Sequence, residues 1–354
     1  MKALNKRTAY RYGHKVRFNK YKISYLVKII CFVLAVIILP LEIVIRSWMM
    51  EQEDQAILDI QKSDSSSLIK LAEVFRVLGD IKFIQGFSFF LYLFSDSLLG
   101  FKTALVTQFG IIIVNFLKLL YKVPRPFWVA ENIIGRKCVL DFAGPSDHVF
   151  LSVFFYTYVI IIFFSKYAEE TSKALLACLV AVDVVVVFLI ALSGLYVGTT
   201  YVFQSFVGLI YGILYTILCI DMDREIHSLS EKAGFIVKDS RKYKFYIFFF
   251  CLGVFVVDVI FFNSIIVEWT LPQSWVINAR NDCGLEHNFK FRLGADYTFM
   301  DSAVIFGIVG MVFGASWATS TLDFLLWFQT SFFKRVTRAV IGVGIAVAIY
   351  YGFM

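Results

Sequence analysis

The side chains best suited to chemistry stand where long apolar runs end or begin. Lys118 closes one such run, and Arg125-Pro126 follows after six residues in KLLYKVPRPFW. Ser146 and His148 open the next run in GPSDHVF. Each residue alone has a structural explanation, because cations at the end of a span snorkel and a lone histidine is more often structural than catalytic. The joint spacing of two cations, a hydroxyl and an imidazole is a more specific signal.

A third polar stretch, SGLYVGTTYVFQ at residues 193–204, closes a further apolar run. It carries hydroxyl groups and an amide, but neither a charged side chain nor an imidazole. The first stretch ends the third predicted span, the second begins the fourth, and the third ends the fifth. This order places all three stretches at one face of the membrane. We therefore expect the three loops to converge outside the same helical bundle.

Together the three stretches resemble the type 2 phosphatidic acid phosphatase superfamily, which includes lipid phosphate phosphatases, glucose-6-phosphatase and vanadium haloperoxidases. The patterns of that family are K-x6-R-P, P-S-G-H and S-R-x5-H-x3-D. The resemblance covers roughly residues 81–220 and implies a six-helix phosphatase-like core once the first span is included. Three further spans would form an extension, as in the nine-span glucose-6-phosphatase branch.

The resemblance also implies a phosphate pocket that needs no metal and no cofactor. Lys118, Arg125 and Ser146 would donate hydrogen bonds to a phosphoryl group. His148 would match the general acid that protonates the leaving oxygen.

The third stretch departs from the family pattern at its reactive positions. Ser193 matches the family serine, but Gly194 stands where an arginine is expected and Thr200 where the nucleophilic histidine is expected. Gln204 falls at the position that orients the nucleophile, where glucose-6-phosphatase-type members also have glutamine. The frame of the motif thus persists without its two reactive side chains.

The second motif departs at one position, where Asp147 replaces the small glycine. A carboxylate there would repel a phosphate at close range unless it pairs with Lys118 or Arg125. Such a pair would hold the loops together instead of binding a ligand.

These departures predict a loss of catalysis. Removing the nucleophile of a concerted set costs about 10⁶ in rate, and losing one charge donor costs about 10²–10³ more. We expect a catalytically inactive phosphatase-fold protein that serves as a structural or regulatory subunit or binds an anionic headgroup. The alternative is an active, metal-independent phosphomonoesterase that hydrolyses a lipid phosphate or a sugar phosphate. A transporter is a third interpretation, with Asp183 and Asp258 as its intramembrane charges.

The composition fixes the class of the protein. Of the 354 residues, 59% are hydrophobic and 17% are charged, against about 25% charged in soluble domains. The apolar residues form blocks long enough to cross a bilayer. We predict an all-α integral membrane protein with about nine transmembrane helices. The predicted spans are 23–46, 81–95, 103–121, 148–165, 174–193, 200–220, 245–268, 301–319 and 336–353.

Three regions follow from these spans. Residues 1–22 hold eight Lys or Arg and no acid, which indicates a cytoplasmic or matrix-side flank or an import signal. Residues 23–220 form the core, whose amphipathic segment 51–80 would lie at the membrane interface or cover the loops. Residues 221–354 form a three-span extension.

The expected partners are membrane lipids, with other membrane protein subunits as candidates and nucleic acid excluded. The expected location is the endoplasmic reticulum or another endomembrane, with the mitochondrial inner membrane as the alternative. Cys138 and Cys283 both fall on the non-cytoplasmic face of this topology. They are either joined in a disulfide or two free thiols.

Overall fold

A computed structural model describes residues 24–63, 65–94, 97–167, 172–234, 240–268, 272–283, 302–315 and 331–352. Regular secondary structure in these ranges is helical, apart from an isolated bridge between Val123 and Gly144. The helices are α1 (Tyr25–Gln61), α2 (Ser66–Leu78), α3 (Ile81–Phe94), α4 (Ser97–Tyr121), α5 (Pro126–Val129), α6 (Asp147–Tyr167), α7 (Lys173–Tyr196), α8 (Val202–Asp221), α9 (Asp223–Gly234), α10 (Ser240–Glu268), α11 (Gln273–Cys283), α12 (Ser302–Ala315) and α13 (Phe332–Gly352).

Four of these helices, α4, α6, α7 and α8, are each long and apolar enough to cross a membrane. On α7 the side chains of Val182, Val184 and Val185 are 53%, 63% and 54% exposed. An outer face of valines this extensive suits acyl chains and not water. The prediction of an all-α integral membrane protein is confirmed.

Two bent helix pairs raise the number of candidate spans to six within the described ranges. One pair lies within α1, which bends by 52° at Pro40, a residue that has no N–H to donate within the helix. The other pair joins α2 and α3, also at 52°. The last three predicted spans overlap α10, α12 and α13, and the total of nine stays a prediction.

The segment between the first two predicted spans differs from its predicted outline. We expected a span over 23–46 and an amphipathic segment over 51–80, but α1 continues to Gln61 and α2 occupies only Ser66–Leu78. Leu68 and Leu71 are 44% and 51% exposed, and the buried residues of α2 are Ala72 and Arg76. Phe75 and Leu78 pack against the bundle on the same side as Ala72 and Arg76. The helix therefore covers the loop end of the bundle with the face opposite Leu68 and Leu71.

The tight pairing of α6 with α8 fixes the start of α6. A Cβ added at Gly208 would lie 2.6 Å from the carbonyl oxygen of Ser146, and one at Gly212 would lie 2.9 Å from that of Phe150. Small residues let helices in a membrane approach closely. Because neither position tolerates a side chain without movement, the glycines hold the Ser146 turn against α8.

The end of α1 is fastened to the start of α8. The Glu53 carboxylate accepts hydrogen bonds from the backbone N–H groups of Val202 at 2.5 Å and Phe203 at 3.1 Å. Asp54 accepts one from the Tyr201 hydroxyl at 2.7 Å. Glu53 thereby satisfies N–H groups that have no partner within the helix, and Asp54 adds a side-chain contact at the same end.

We predict that Glu53→Ala lowers the free energy of unfolding by about 1–2 kcal/mol, because the first turn of α8 loses its acceptor. Glu51→Ala, an exposed acid on the same helix, is the matched control and should change it by less than about 0.5 kcal/mol. Thermal unfolding of the two purified variants in detergent measures the difference. Equal midpoints would contradict a capping role for Glu53.

Candidate functional site

The three motif segments meet at one end of the bundle. Lys118 lies in the last turn of α4 and is fully buried. The main-chain N–H of Ser146 donates to the carbonyl of Gln204 at 3.1 Å, and an Arg125 Nη1 donates to the carbonyl of Thr199 at 2.9 Å. Hydrogen bonds thus connect both the first and the second segment to the third.

Lys118 lies between two carboxylates. Its Nζ is 2.5 Å from Asp141 Oδ2 and 3.0 Å from Asp147 Oδ2. Asp147 therefore pairs with Lys118, one of the two cations that the sequence analysis named as its possible partners. The second partner, Asp141, was not predicted.

Arg125 is held by the same aspartate. Its Nη2 forms an ion pair with Asp141 Oδ1, and its Nε donates to the Asp141 carbonyl at 2.8 Å. Asp141 lies in the loop before the second motif, outside all three family patterns. Only its position as an acid shortly before Pro145 could have drawn attention to it.

The electrostatics of Asp141 reflect this double contact. Burial by itself would raise the pKa of the Asp141 carboxyl, but Arg125 and Lys118 outweigh it and hold the pKa below its ordinary value. The carboxylate is therefore charged at neutral pH, and each motif cation has an anionic partner within the chain.

The third segment is folded around its small residues. A Cβ on Gly194 would lie 2.2 Å from Thr200 Oγ1, so the two positions that lack reactive side chains are in direct contact. Gly198 has φ +75°, and a Cβ there would lie 2.6 Å from the Ile134 carbonyl. Ser193 Oγ donates within its own helix, to the carbonyl of Ile190 at 2.7 Å.

Gln204 joins the segments by main-chain contacts. Its Nε2 donates to the Pro124 carbonyl at 3.0 Å, and its Oε1 accepts from the Tyr201 N–H at 2.9 Å. Both ends of the amide are therefore committed to backbone groups. In this structure the residue at the orienting position ties the first segment to the third.

One ring nitrogen of His148 contacts the cluster, and the other has no hydrogen-bond partner among the described residues. Its Nδ1 lies 3.0 Å from Asp147 Oδ1. Its buried Nε2 has no hydrogen-bond partner among the described residues. Ser146 is buried, and its carbonyl accepts the Phe150 N–H that begins α6.

A third cation, Arg76 of α2, enters the same cluster. Its Nη1 donates to Thr199 Oγ1 at 2.6 Å, and the residue is 3% exposed. It lies near enough to Arg125, Asp147 and Asp141 to interact with their charges. The sequence predicted no such contact, although Arg76 is the one arginine of α2.

The extension after α8 supports the motif loop from outside. Cys138 and Cys283 are joined in a disulfide with their Cα atoms 5.2 Å apart. Gly135 N–H donates to Asp282 Oδ2 at 2.9 Å, and Asn278 Nδ2 donates to the Trp128 carbonyl at 3.0 Å. Helix α11 thereby clamps the segment that follows Arg125.

The two aspartates that the transporter interpretation named lie on other helices. Asp183 Oδ2 accepts a hydrogen bond from Thr157 of α6 at 2.7 Å, and Asp258 lies on α10.

Within the described residues, no group of three His, Cys, Asp or Glu side chains is arranged to hold a metal ion.

Comparison with known proteins relates part of the chain to one family. Residues 99–227 match the family model described as PAP2 superfamily. The fold is also similar to the crystal structure of the first transmembrane PAP2 type phosphatidylglycerolphosphate phosphatase from Bacillus subtilis. That similarity has 17% sequence identity and a TM-score of 0.46, covering 56% of this chain and 96% of the other. No curated protein matches the sequence.

We predict that Lys118→Ala destabilises the protein by about 3–5 kcal/mol, because it leaves buried carboxylates without their cation. Lys62→Ala is the matched control, since the Lys62–Asp59 pair is exposed at 71% and 57% and such pairs contribute about 0–1 kcal/mol. Thermal scans of both variants in one detergent give the comparison. Similar losses in the two variants would rule out a structural role for the buried cluster.

The lowered pKa of Asp141 predicts a pH dependence with a definite sign. The unfolded carboxyl has the higher pKa and binds a proton first, so stability from Asp141 is complete at neutral pH and is lost as pH falls below about 4. The stability difference between the wild type and Asp141→Asn should therefore shrink from pH 7 to pH 3. Glu131→Gln, at an exposed acid outside the cluster, provides the control series. A difference that stays constant over this range would contradict the assignment.

Proposed function

We propose that this chain is a catalytically inactive PAP2-fold membrane protein that serves as a structural or regulatory component of the membrane. The observation that carries the proposal is the pairing of Lys118 and Arg125 with Asp141 and Asp147. Lys118 and Arg125 are already paired with carboxylates that are fixed in the chain, so neither cation is free to stabilise the charge that develops in a transition state.

The position of the nucleophile supports the same conclusion. Thr200 is 4% exposed, and among the described residues no carboxylate or imidazole accepts a hydrogen bond from its hydroxyl. A neutral hydroxyl without a base is a poor nucleophile. Its contact with the Gly194 position also leaves no room for an arginine there while Thr200 keeps its present place.

A second candidate function, phosphomonoester hydrolysis of a lipid or sugar phosphate, is favoured by one observation. His148 has its Nδ1 on a carboxylate and its Nε2 unpartnered among the described residues, an arrangement suited to acid–base chemistry. With Nδ1–H directed at Asp147, the neutral ring leaves Nε2 as a proton acceptor, so His148 supplies an acid–base group but not the missing nucleophile.

We also propose an endomembrane location, with the endoplasmic reticulum first. The disulfide between Cys138 and Cys283 lies on the motif-loop face, and disulfides persist in oxidising compartments. That face would then be lumenal, with membrane lipids around the valine-rich helices and other membrane subunits as candidate partners.

The test is phosphate release from phosphatidate, sphingosine phosphate and glucose 6-phosphate by the purified protein. We expect wild type and Lys118→Ala to match the background of the assay. Gly194→Arg/Thr200→His restores both reactive groups, and any activity that it gains shows that the frame is intact. Release by the wild type that disappears in Lys118→Ala, or a phosphorylated form of the wild type trapped by acid quench, would establish an enzyme instead.

A further inference from the structure

Arg76 is a buried guanidinium whose charge has no ion-pair partner among the described residues. It is 3% exposed, its Nη1 is bonded to the neutral Thr199 hydroxyl, and its Nε has no hydrogen-bond partner in the described part of the chain. A desolvated cation is costly unless an anion accompanies it. Of the carboxylates that act on its charge, Asp141 is shared by Lys118 and Arg125, Asp147 is paired with Lys118, and Asp80 forms no ion pair with Arg76 among the described residues.

The guanidinium of Arg76 lies beside the third motif segment. Thr199 donates its N–H to the Gly194 carbonyl at 3.0 Å, so the guanidinium reaches the same turn that carries Gly194 and Thr200. It comes from α2, a helix outside residues 99–227 that match the family. In sequence the arginine of the third segment is absent, whereas in space a guanidinium is present beside that segment.

We propose that Arg76 replaces the missing motif arginine and, together with His148, makes the cluster a binding site for a singly charged phosphoryl group. The centre of the cluster holds three cations, Arg76, Lys118 and Arg125, against two carboxylates, Asp141 and Asp147. At its edge Asp80 and Lys137 also interact with Arg76, and their opposite charges cancel. With a neutral imidazole the sum is one positive charge, which one bound anion neutralises. The planar guanidinium fork suits phosphoryl oxygens. In the neutral ring whose Nδ1–H faces Asp147, His148 Nε2 is an acceptor and can take the P–OH hydrogen of a singly charged phosphoryl group.

The exposures indicate the side from which an anion arrives. The side chains of Asp141 and His148 are 22% and 16% exposed, whereas Arg76 is 3% exposed and His148 Nε2 is itself buried. An anion therefore approaches from the side of Asp141 and His148, and Arg76 lies deepest. The inference deepens the proposed function and rests on it, since the anion is held without being cleaved.

Inorganic phosphate is the probe for the first experiment, added to the full-length protein in detergent at constant ionic strength with chloride as the reference. Wild type should bind phosphate in calorimetry and gain thermal stability as its concentration rises. Arg76→Gln keeps a donor for Thr199 Oγ1 but removes the charge, and its affinity should fall by about 10–100-fold. Lys70→Ala, an exposed lysine of the same helix, should bind like wild type.

Arg76→Lys tests whether a loss of affinity in Arg76→Gln comes from the lost charge or from a general structural defect. Lysine keeps the positive charge but lacks the planar guanidinium, and we expect an affinity between those of wild type and Arg76→Gln. An Arg76→Gln protein that binds phosphate as tightly as wild type would overturn the proposal. So would a wild type that shows no binding in either measurement.

Nanodiscs of phosphatidylcholine with and without phosphatidic acid distinguish a lipid headgroup from a soluble phosphate. Stabilisation by phosphatidic acid, but not by phosphatidylserine, that is lost in Arg76→Gln assigns the site to a lipid phosphate. Stabilisation by soluble phosphate alone assigns it to a free phosphomonoester. If neither binds while phosphate release stays at background, the anion site is refuted and the inactive fold remains.

Discussion

The Asp141 carboxylate is the group on which the motif end of the bundle depends. It accepts from both Lys118 and Arg125, and Asp147 completes the contacts of Lys118. Two desolvated cations at the end of apolar helices would otherwise carry a large penalty. Because the partners come from α4, the loop before α6 and the start of α6, satisfying the charges also fixes these segments relative to one another. The third segment joins them through Gln204 and the Thr199 carbonyl.

Much of what holds this arrangement lies outside residues 99–227, the part that matches the PAP2 superfamily. The extension of α1 supplies Glu53 to the start of α8, and Gln61 exchanges hydrogen bonds with the backbone of Ile134. Helix α2 contributes Arg76, and α11 fastens the motif loop through Cys283. The site is thus assembled by described helices on both sides of the matched residues, and its contacts cannot be read from the three motifs alone.

The fold of the motif loops and the catalytic chemistry of such a site depend on different atoms, so one can be kept without the other. Main-chain hydrogen bonds at Ser146, Gln204 and Gly194 maintain the fold of the loops. Catalysis needs a nucleophile and free positive charge at the reacting group. Here the motif cations are bound to carboxylates. The proposed roles of Thr200 and Arg76 follow from this separation, since an anion can be bound by groups that do not perform catalysis.

The sequence by itself determined the helical membrane class, the positions of the main spans and the absence of an arginine and a histidine at Gly194 and Thr200. These follow from the length of apolar runs and from spacing along the chain. The tertiary structure alone decided that Asp141 joins Lys118 to Arg125, that α1 continues to Gln61, and that Arg76 turns inward while Leu68 faces out. Periodicity along one helix reports which residues share a face, but which face is buried, and which charges meet, depends on the other helices that pack against it.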